Sequence, residues 1–173
     1  MGNTEQGLVV AAEAAPRSAA WISFSLAGQQ YAAPVERVQE VIRPRDIAPV
    51  PGAPHTLLGL MNLRGRLLPV IDGCERLALE GGNVGDPANA RVLVLDTGDE
   101  PAGLLVEAVG DLIRIDENQI APVPVGRALR QHDPVRGVVQ RERGFTALLD
   151  VERLCNAEAI SGGDPSGGGQ VDE

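Results

Sequence analysis

The sequence contains no lysine; all 15 of its basic residues are arginine. That absence excludes a P-loop lysine on a phosphate, a Schiff base and a kinase-type lysine. Rings are almost as scarce, since Trp21, Phe24, Tyr31 and Phe145 are the only Trp, Tyr or Phe side chains. With 24 acidic residues against 15 basic ones the formal charge is -9, so the chain lacks the basic face and stacking platforms that nucleic-acid binding wants. Cysteine is limited to Cys74 and Cys155, far apart and without a metal-ligand or disulfide pattern, which fits two reduced structural thiols. His55 and His132 have no Cys, His or acidic partner at metal spacing, so neither metal nor cofactor is expected. No apolar run approaches the roughly 18 residues of a membrane span. The run Leu8-Val9-Val10-Ala11-Ala12 is short, ends at Glu13 and follows no positive charge, unlike a signal peptide. A cytoplasmic protein without direct membrane insertion is therefore expected.

What remains is enough for a core: 43% of the 173 residues are hydrophobic, which suits one domain or two small ones. Residues 1–20 are Ala-rich and aperiodic, and residues 156–173 carry Gly/Ser runs with four acids and no base. Both ends read as flexible tails around an ordered 21–155. Inside that span the pattern is one of short strands. Trp21 to Leu26 alternates at period two and turns at Gly28 towards Tyr31–Pro34. Val35 to Val38 suits one helical turn, followed by a strand over Glu40-Val41-Ile42. Pro44, Pro49, Pro51 and Pro54 forbid regular structure as far as His55. Leu57–Leu63 and Leu67–Ile71 flank Arg64-Gly65-Arg66; Arg91–Asp96 and Ala102–Val106 flank Thr97–Glu100. Leu112–Ile115 is a further strand, and Val135–Gln140 and Phe145–Leu149 surround a turn at Arg143-Gly144. A short helix is expected from Val151 towards Glu158. Strands of this length and spacing predict an all-β barrel or sandwich.

An internal repeat organises these pieces. Val35-Glu36-Arg37-Val38-Gln39-Glu40-Val41-Ile42 aligns with Val106-Glu107-Ala108-Val109-Gly110-Asp111-Leu112-Ile113. Ile47-Ala48-Pro49-Val50-Pro51 recurs as Ile120-Ala121-Pro122-Val123-Pro124. Gly59 precedes Asp72 at the spacing by which Gly137 precedes Asp150. The order is the same in both halves, which predicts two similar β-subdomains, each marginal alone and packed on the other. The Gly81–Pro87 run links them, with the switch near 79–90.

The residues that now stand out resemble a CheW-like domain, the coupling-protein family of bacterial chemotaxis. The resemblance covers about Trp21 to Leu154. It rests on Val38-Gln39-Glu40-Val41-Ile42, on Pro49-Val50-Pro51-Gly52-Ala53-Pro54 and on Gly59-Leu60-Met61-Asn62-Leu63-Arg64-Gly65-Arg66-Leu67-Leu68-Pro69-Val70-Ile71-Asp72, with Gly103–Val109 as a third signature. It implies a pair of intertwined five-stranded SH3-like β-barrels with short helices. It also implies a non-enzymatic adaptor that bridges a chemoreceptor's cytoplasmic tip to the regulatory domain of a CheA-type histidine kinase. Carried over by motif, Val38, Glu40 and Arg64 would face the receptor, with Asn62 and Gly65 shaping the hairpin that presents Arg64. Two positions depart from the family pattern: Gly73-Cys74 stands where Leu-Arg is usual, and Glu107 where Asp is usual. They raise the alternative of a divergent adaptor serving a pilus, surface-sensing or other chemosensory pathway.

An enzyme reading competes at Val92-Leu93-Val94-Leu95-Asp96-Thr97-Gly98, an apolar strand ending in the Asp-Thr-Gly of a dimeric retroviral-type aspartic protease. Asp99 and Glu100 would crowd such a carboxylate pair with like charge, and a hairpin turn accounts for the same residues. Asp72 and Asp150 invite a paired-carboxylate reading, but each suits the N-cap of the short helix that follows it.

Overall fold

The computed structural model describes residues 17–123, 133–142 and 144–156. Pro124, His132, Arg143 and the residues beyond Asn156 lie outside these, as does most of the N-terminal segment. The described residues form ten strands: β1 (Ser18–Leu26), β2 (Gln29–Pro34), β3 (Val38–Ile42), β4 (Leu57–Leu63), β5 (Arg66–Asp72), β6 (Arg91–Leu95), β7 (Ala102–Val106), β8 (Ala108–Asp116), β9 (Val135–Arg141) and β10 (Gly144–Leu149). One-turn helices α1 (Gly73–Arg76) and α2 (Val151–Leu154) follow β5 and β10, and 3-10 turns cover Val35–Arg37, Pro87–Asn89 and Glu117–Gln119. β1 starts at Ser18, so Ser18, Ala19 and Ala20 are strand rather than tail. The reason is pairing: Ser18 through Trp21 run antiparallel to Asp116 through Ile113. That same pairing lengthens the expected Leu112–Ile115 strand to Ala108–Asp116.

The strands make two five-stranded sheets, ordered β8-β1-β2-β10-β9 and β3-β6-β7-β5-β4. The repeat maps one order onto the other, with hairpin β1–β2 matching β6–β7 and β3, β4, β5 matching β8, β9, β10. Each sheet therefore joins the hairpin of one repeat to three strands of the other. The joint is a parallel pair in both: Ala147 opposite Tyr31 in one, Ile71 opposite Leu104 in the other. The repeated Ile-Ala-Pro-Val segments do the same work twice. Ala48 bridges Leu60 and Ala121 bridges Val138, tying the incoming loop to the outer strand. Gly59 and Gly137 are needed beneath them, since a Cβ would stand 2.3 Å from the Ala48 oxygen and 2.9 Å from the Ala121 oxygen.

Burial follows the same plan. A small core lies within each sheet, Trp21, Ala32, Ile115, Val139 and Leu148 in one and Met61, Leu68, Val70, Val92 and Val94 in the other. A larger core of Phe24, Leu26, Tyr31, Ile71, Leu93, Leu95, Leu104, Leu149 and Leu154 draws on both sheets and makes the halves one body. Both expected helix caps form. Asp72 accepts from the Cys74 and Glu75 amides, and Asp150 from the Arg153 amide, each contact contributing about 1 kcal/mol. Cys74 and Cys155 are buried. Burial pushes the Cys74 thiol up, and pushes that of Cys155 up to about 12, so neither is a reactive thiolate.

Candidate functional site

The β4–β5 hairpin turns in two residues. Arg64 and Gly65 both have positive φ, 52° and 85°, the conformation of a type I′ turn whose twist matches its strands. Glycine adopts it freely; arginine does so at a steric cost of about 1–2 kcal/mol for a residue of this hand. The Asn62 side-chain oxygen accepts from the Gly65 amide at 2.9 Å and holds the turn. Leu63 pairs with Arg66 and Asn62 with Leu67, so the tip is fully two residues long.

From this tip the Arg64 guanidinium reaches across to β3. Nη1 donates to Oε2 of Glu40 at 2.6 Å and Nη2 to Oε1 at 2.7 Å, a bidentate fork. β3 and β4 are the two edges of their sheet, so the pair draws opposite edges together. The fork holds the Glu40 carboxyl below its ordinary range and raises the Arg64 guanidinium. Arg64 stays 72% exposed and Glu40 28%, so one face of the guanidinium is open to a partner. Asn62, Glu40, Arg64 and Gly65 thus come together as one feature.

Val38 is different. It pairs with Leu95 and packs against the shared core, half-buried. The register slips between Val38 and Glu40, leaving Gln39 as an extra, exposed residue. Only part of Val38 is offered to a partner. The same sheet carries two exposed apolar groups that sequence reasoning passed over: Leu67 is 66% exposed and Val41 38%. The Leu67-Leu68 doublet carried the signal, because neighbouring strand residues point to opposite faces and only one can be inside. The repeat places Phe145 at the Leu67 position and Leu112 at the Val41 position, and these too are exposed.

The remaining singular features resolve into structure. Asp96 accepts from the Gly98 amide at 2.9 Å, and the Thr97 hydroxyl donates to the Glu100 carbonyl at 2.8 Å, so Asp-Thr-Gly is spent inside the β6–β7 turn. Gly73 and Cys74 are both buried, and a Cβ on Gly73 would stand 2.8 Å from Leu26. This departure from the family pattern is a change in the core beneath α1, not on an exposed face. Glu107 is buried, and its carboxylate accepts from the amides of Val84 at 2.5 Å and Gly28 at 3.3 Å.

The fold is thus two exchanged β repeats, with an arginine fork presented on a tight hairpin. The model of the CheW-like domain matches residues 20–159, and the chain belongs to that family. Similar proteins include the chemotaxis protein CheW of Helicobacter pylori, 33% identical over 80% of this chain and 82% of that protein. Protein FrzA of Myxococcus xanthus is 33% identical over 84% and 89%. The crystal structure of the scaffolding protein TtCheW from Thermoanaerobacter tengcongensis superposes with a TM-score of 0.73 at 27% identity, covering 86% of this chain and 94% of that one. The family is one of scaffold and adaptor proteins rather than enzymes. Among the described residues no helix is long and apolar enough to cross a membrane.

Proposed function

We propose that this chain is a chemotaxis-type signal-transduction adaptor, working in the cytoplasm without catalysis, that couples the tip of a chemoreceptor to the regulatory domain of a CheA-type histidine kinase. Each sheet is taken to close as an SH3-like barrel. The support is the Glu40–Arg64 fork across the sheet edges and the paired Ala48–Leu60 and Ala121–Val138 bridges. The coupling unit is residues 21–155, extended at its start by the first residues of β1, with the change of half near 79–90. Coupling is then mechanical: two protein interfaces on one rigid body let the state of one partner bias the other.

The observation that carries the receptor assignment is the presented fork. Arg64 is held at a fixed angle by Glu40 and still exposes most of its side chain, so it can meet a carboxylate on a partner helix without first being ordered. Glu40 and the half-buried Val38 complete a small centre of charge beside apolar surface, with Asn62 and Gly65 as its support. The test mixes the purified chain with the receptor signalling domain and the kinase regulatory domain from the same genome. Both are expected to bind at micromolar protein, and binding of neither ends the coupling reading. Arg64→Glu should weaken receptor binding about tenfold or more while leaving kinase binding within about twofold. Equal loss of both would make the hairpin a support of the fold.

A further inference from the structure

The fork and core of one sheet have polar, open counterparts in the other. Glu40 and Arg64 join the edges of the sheet of β3 to β7, and Leu68 and Val94 belong to the apolar core of that sheet. The repeat carries Glu40, Asn62, Arg64, Leu68 and Val94 onto Asp111, Gln140, Glu142, Thr146 and Ser23. All five counterparts line one open groove. Two apolar core residues have become hydroxyls, and the guanidinium of the fork has become a carboxylate.

Asp111 is set in place by β1. The Ser23 hydroxyl accepts the Asp111 amide at 2.9 Å and donates to the Asp111 carbonyl at 3.0 Å, where the β1–β8 register slips between Ile22 and Phe24. A side chain at Gly110 would prevent this, since a Cβ would stand 2.5 Å from the Ser23 oxygen. Thr146 is only 5% exposed, yet it lines the groove. Among the described residues its hydroxyl has no hydrogen-bond partner, and a buried polar group is unfavourable until it finds one. Asp111 and Glu142 likewise stand outside the ion pairs of the described residues. A buried hydroxyl and two unpaired carboxylates therefore open on one space.

We propose that this groove is a binding site for a guanidinium group, which takes there the place that Arg64 holds in the other sheet. A guanidinium is planar, stays charged and donates in a fork, so it can bridge two carboxylates and still reach a neutral oxygen. Asp111 and Glu142 supply the carboxylates, and Thr146 and Gln140 the neutral acceptors. Arg141 is the one cation in the lining, so Asp111 and Glu142 keep an excess of one negative charge and the groove favours a cation. The guanidinium is carried by a small arginine-like molecule or by an arginine of a peptide segment. The proposal goes beyond the coupling reading and holds whichever proteins the adaptor joins.

NMR titration of the full chain with N-acetyl-arginine amide tests it. Saturable shifts are expected at the amides of Gly110, Asp111, Gln140 and Thr146, with a Kd of about 1 mM for so small a ligand. The lysine analogue, which lacks the planar fork, should bind about tenfold more weakly. Asp111→Asn and Glu142→Gln should each weaken binding about tenfold, the scale of one charge-assisted contact. Glu142→Arg, at an exposed turn position, should abolish binding by supplying the guanidinium from within. The absence of saturable shifts at a concentration about tenfold above that Kd would overturn the proposal. So would equal binding of the lysine analogue with no response to either carboxylate variant. A short glycine and serine peptide with one central arginine separates the two sources. Binding about tenfold or more tighter than the blocked amino acid would assign the site to a peptide segment, and equal binding to a small molecule; either result sustains the guanidinium site.

Discussion

The two sheets have one strand order and opposite chemistry at the same edge. In the sheet of β3 to β7, Arg64 on the hairpin forks onto Glu40. In the sheet of β8 to β10, the repeat puts Asp111 at the Glu40 position and Glu142 at the Arg64 position. These two acids line an open groove of about 920 Å³ with Gln30, Gln140 and Thr146. Arg141 lines the same groove, but the repeat positions themselves hold two carboxylates, so the direct carboxylate–guanidinium fork of the first sheet has no counterpart at them. Duplication supplied the scaffold twice, and a few charges made its two faces distinct. An adaptor with two partners needs that: a rigid body common to both contacts, and surfaces that do not take each other's ligand.

The comparison can be broken hardest where the scaffold is tightest. Gly59→Ala puts a methyl 2.3 Å from the Ala48 oxygen, and the bridge that the repeat uses to seat its loop cannot survive unshifted. A loss of about 3 kcal/mol or more is expected. Gly137→Ala meets the Ala121 oxygen at 2.9 Å and the Ile120 side chain at 2.7 Å, a lesser clash, for which about 1–3 kcal/mol is expected. Urea unfolding of the two variants measures both. Equal losses would mean that the halves do not differ in tightness here.

A charge swap separates support from recognition at the fork. Arg64→Glu alone sets Glu40 against a like charge and makes the first edge resemble the second. Combining Glu40→Arg with Arg64→Glu restores attraction but reverses the sign shown to a partner. Receptor affinity should fall about tenfold in the single variant and stay low in the double. Recovery in the double would reduce Arg64 to a prop for its hairpin.

The equivalent carboxylates Glu107 and Glu36 give a smaller contrast. Glu107→Ala strips a buried carboxylate from the amides of Val84 and Gly28, a loss of about 1–2 kcal/mol. Its counterpart Glu36→Ala, at an exposed site, should stay within about 0.5 kcal/mol. Burial raises the Glu107 carboxyl, but hydrogen bonds from the Val84, Gly85 and Gly28 amides outweigh it and the folded value is lowered. Its stabilisation is therefore complete above the ordinary glutamate pKa and fades as pH falls through the depressed folded value. The stability difference between Glu107→Ala and the parent chain should shrink on acidification, which denaturant titrations at several pH values would show. A difference that persists at low pH would mean that the contact does not depend on the charge.

Much of this was legible in residue order, because strands announce themselves at period two and repeats by spelling. Both helix caps, the hairpin tip and the paired glycines followed from local rules. What did not follow is non-local. The exchange of hairpins between repeats depends on which strand finds β5 and β10 as a parallel neighbour, and no local pattern encodes that. The Glu40–Arg64 fork joins two sheet edges distant in the strand order, so it too was seen only as two separate residues. Gly73-Cys74 stood out only as a departure from the family pattern, and its burial, with Gly73 packed against Leu26, appears only in the fold. Glu107 stood out only as a Glu where Asp is usual, and its hold on the connecting segment appears only when that segment is placed in space.

That segment begins with a strained residue, which gives the finest test of the contrast. Leu77 caps α1, and Ala78 then reverses the chain with φ 55°. The Ala78 amide bonds the Glu75 carbonyl and the Leu79 amide the Cys74 carbonyl, so the helix end is satisfied by this left-handed residue. A β-carbon is unfavourable there and glycine is the common choice. Ala78 is exposed and loses little packing on replacement. Ala78→Gly should thus stabilise the chain by about 0.5–1 kcal/mol, reduced by the extra freedom glycine has in the unfolded state. Thermal unfolding would register a small rise in midpoint. A fall would show that the methyl, not the backbone angle, sets the start of the connecting segment.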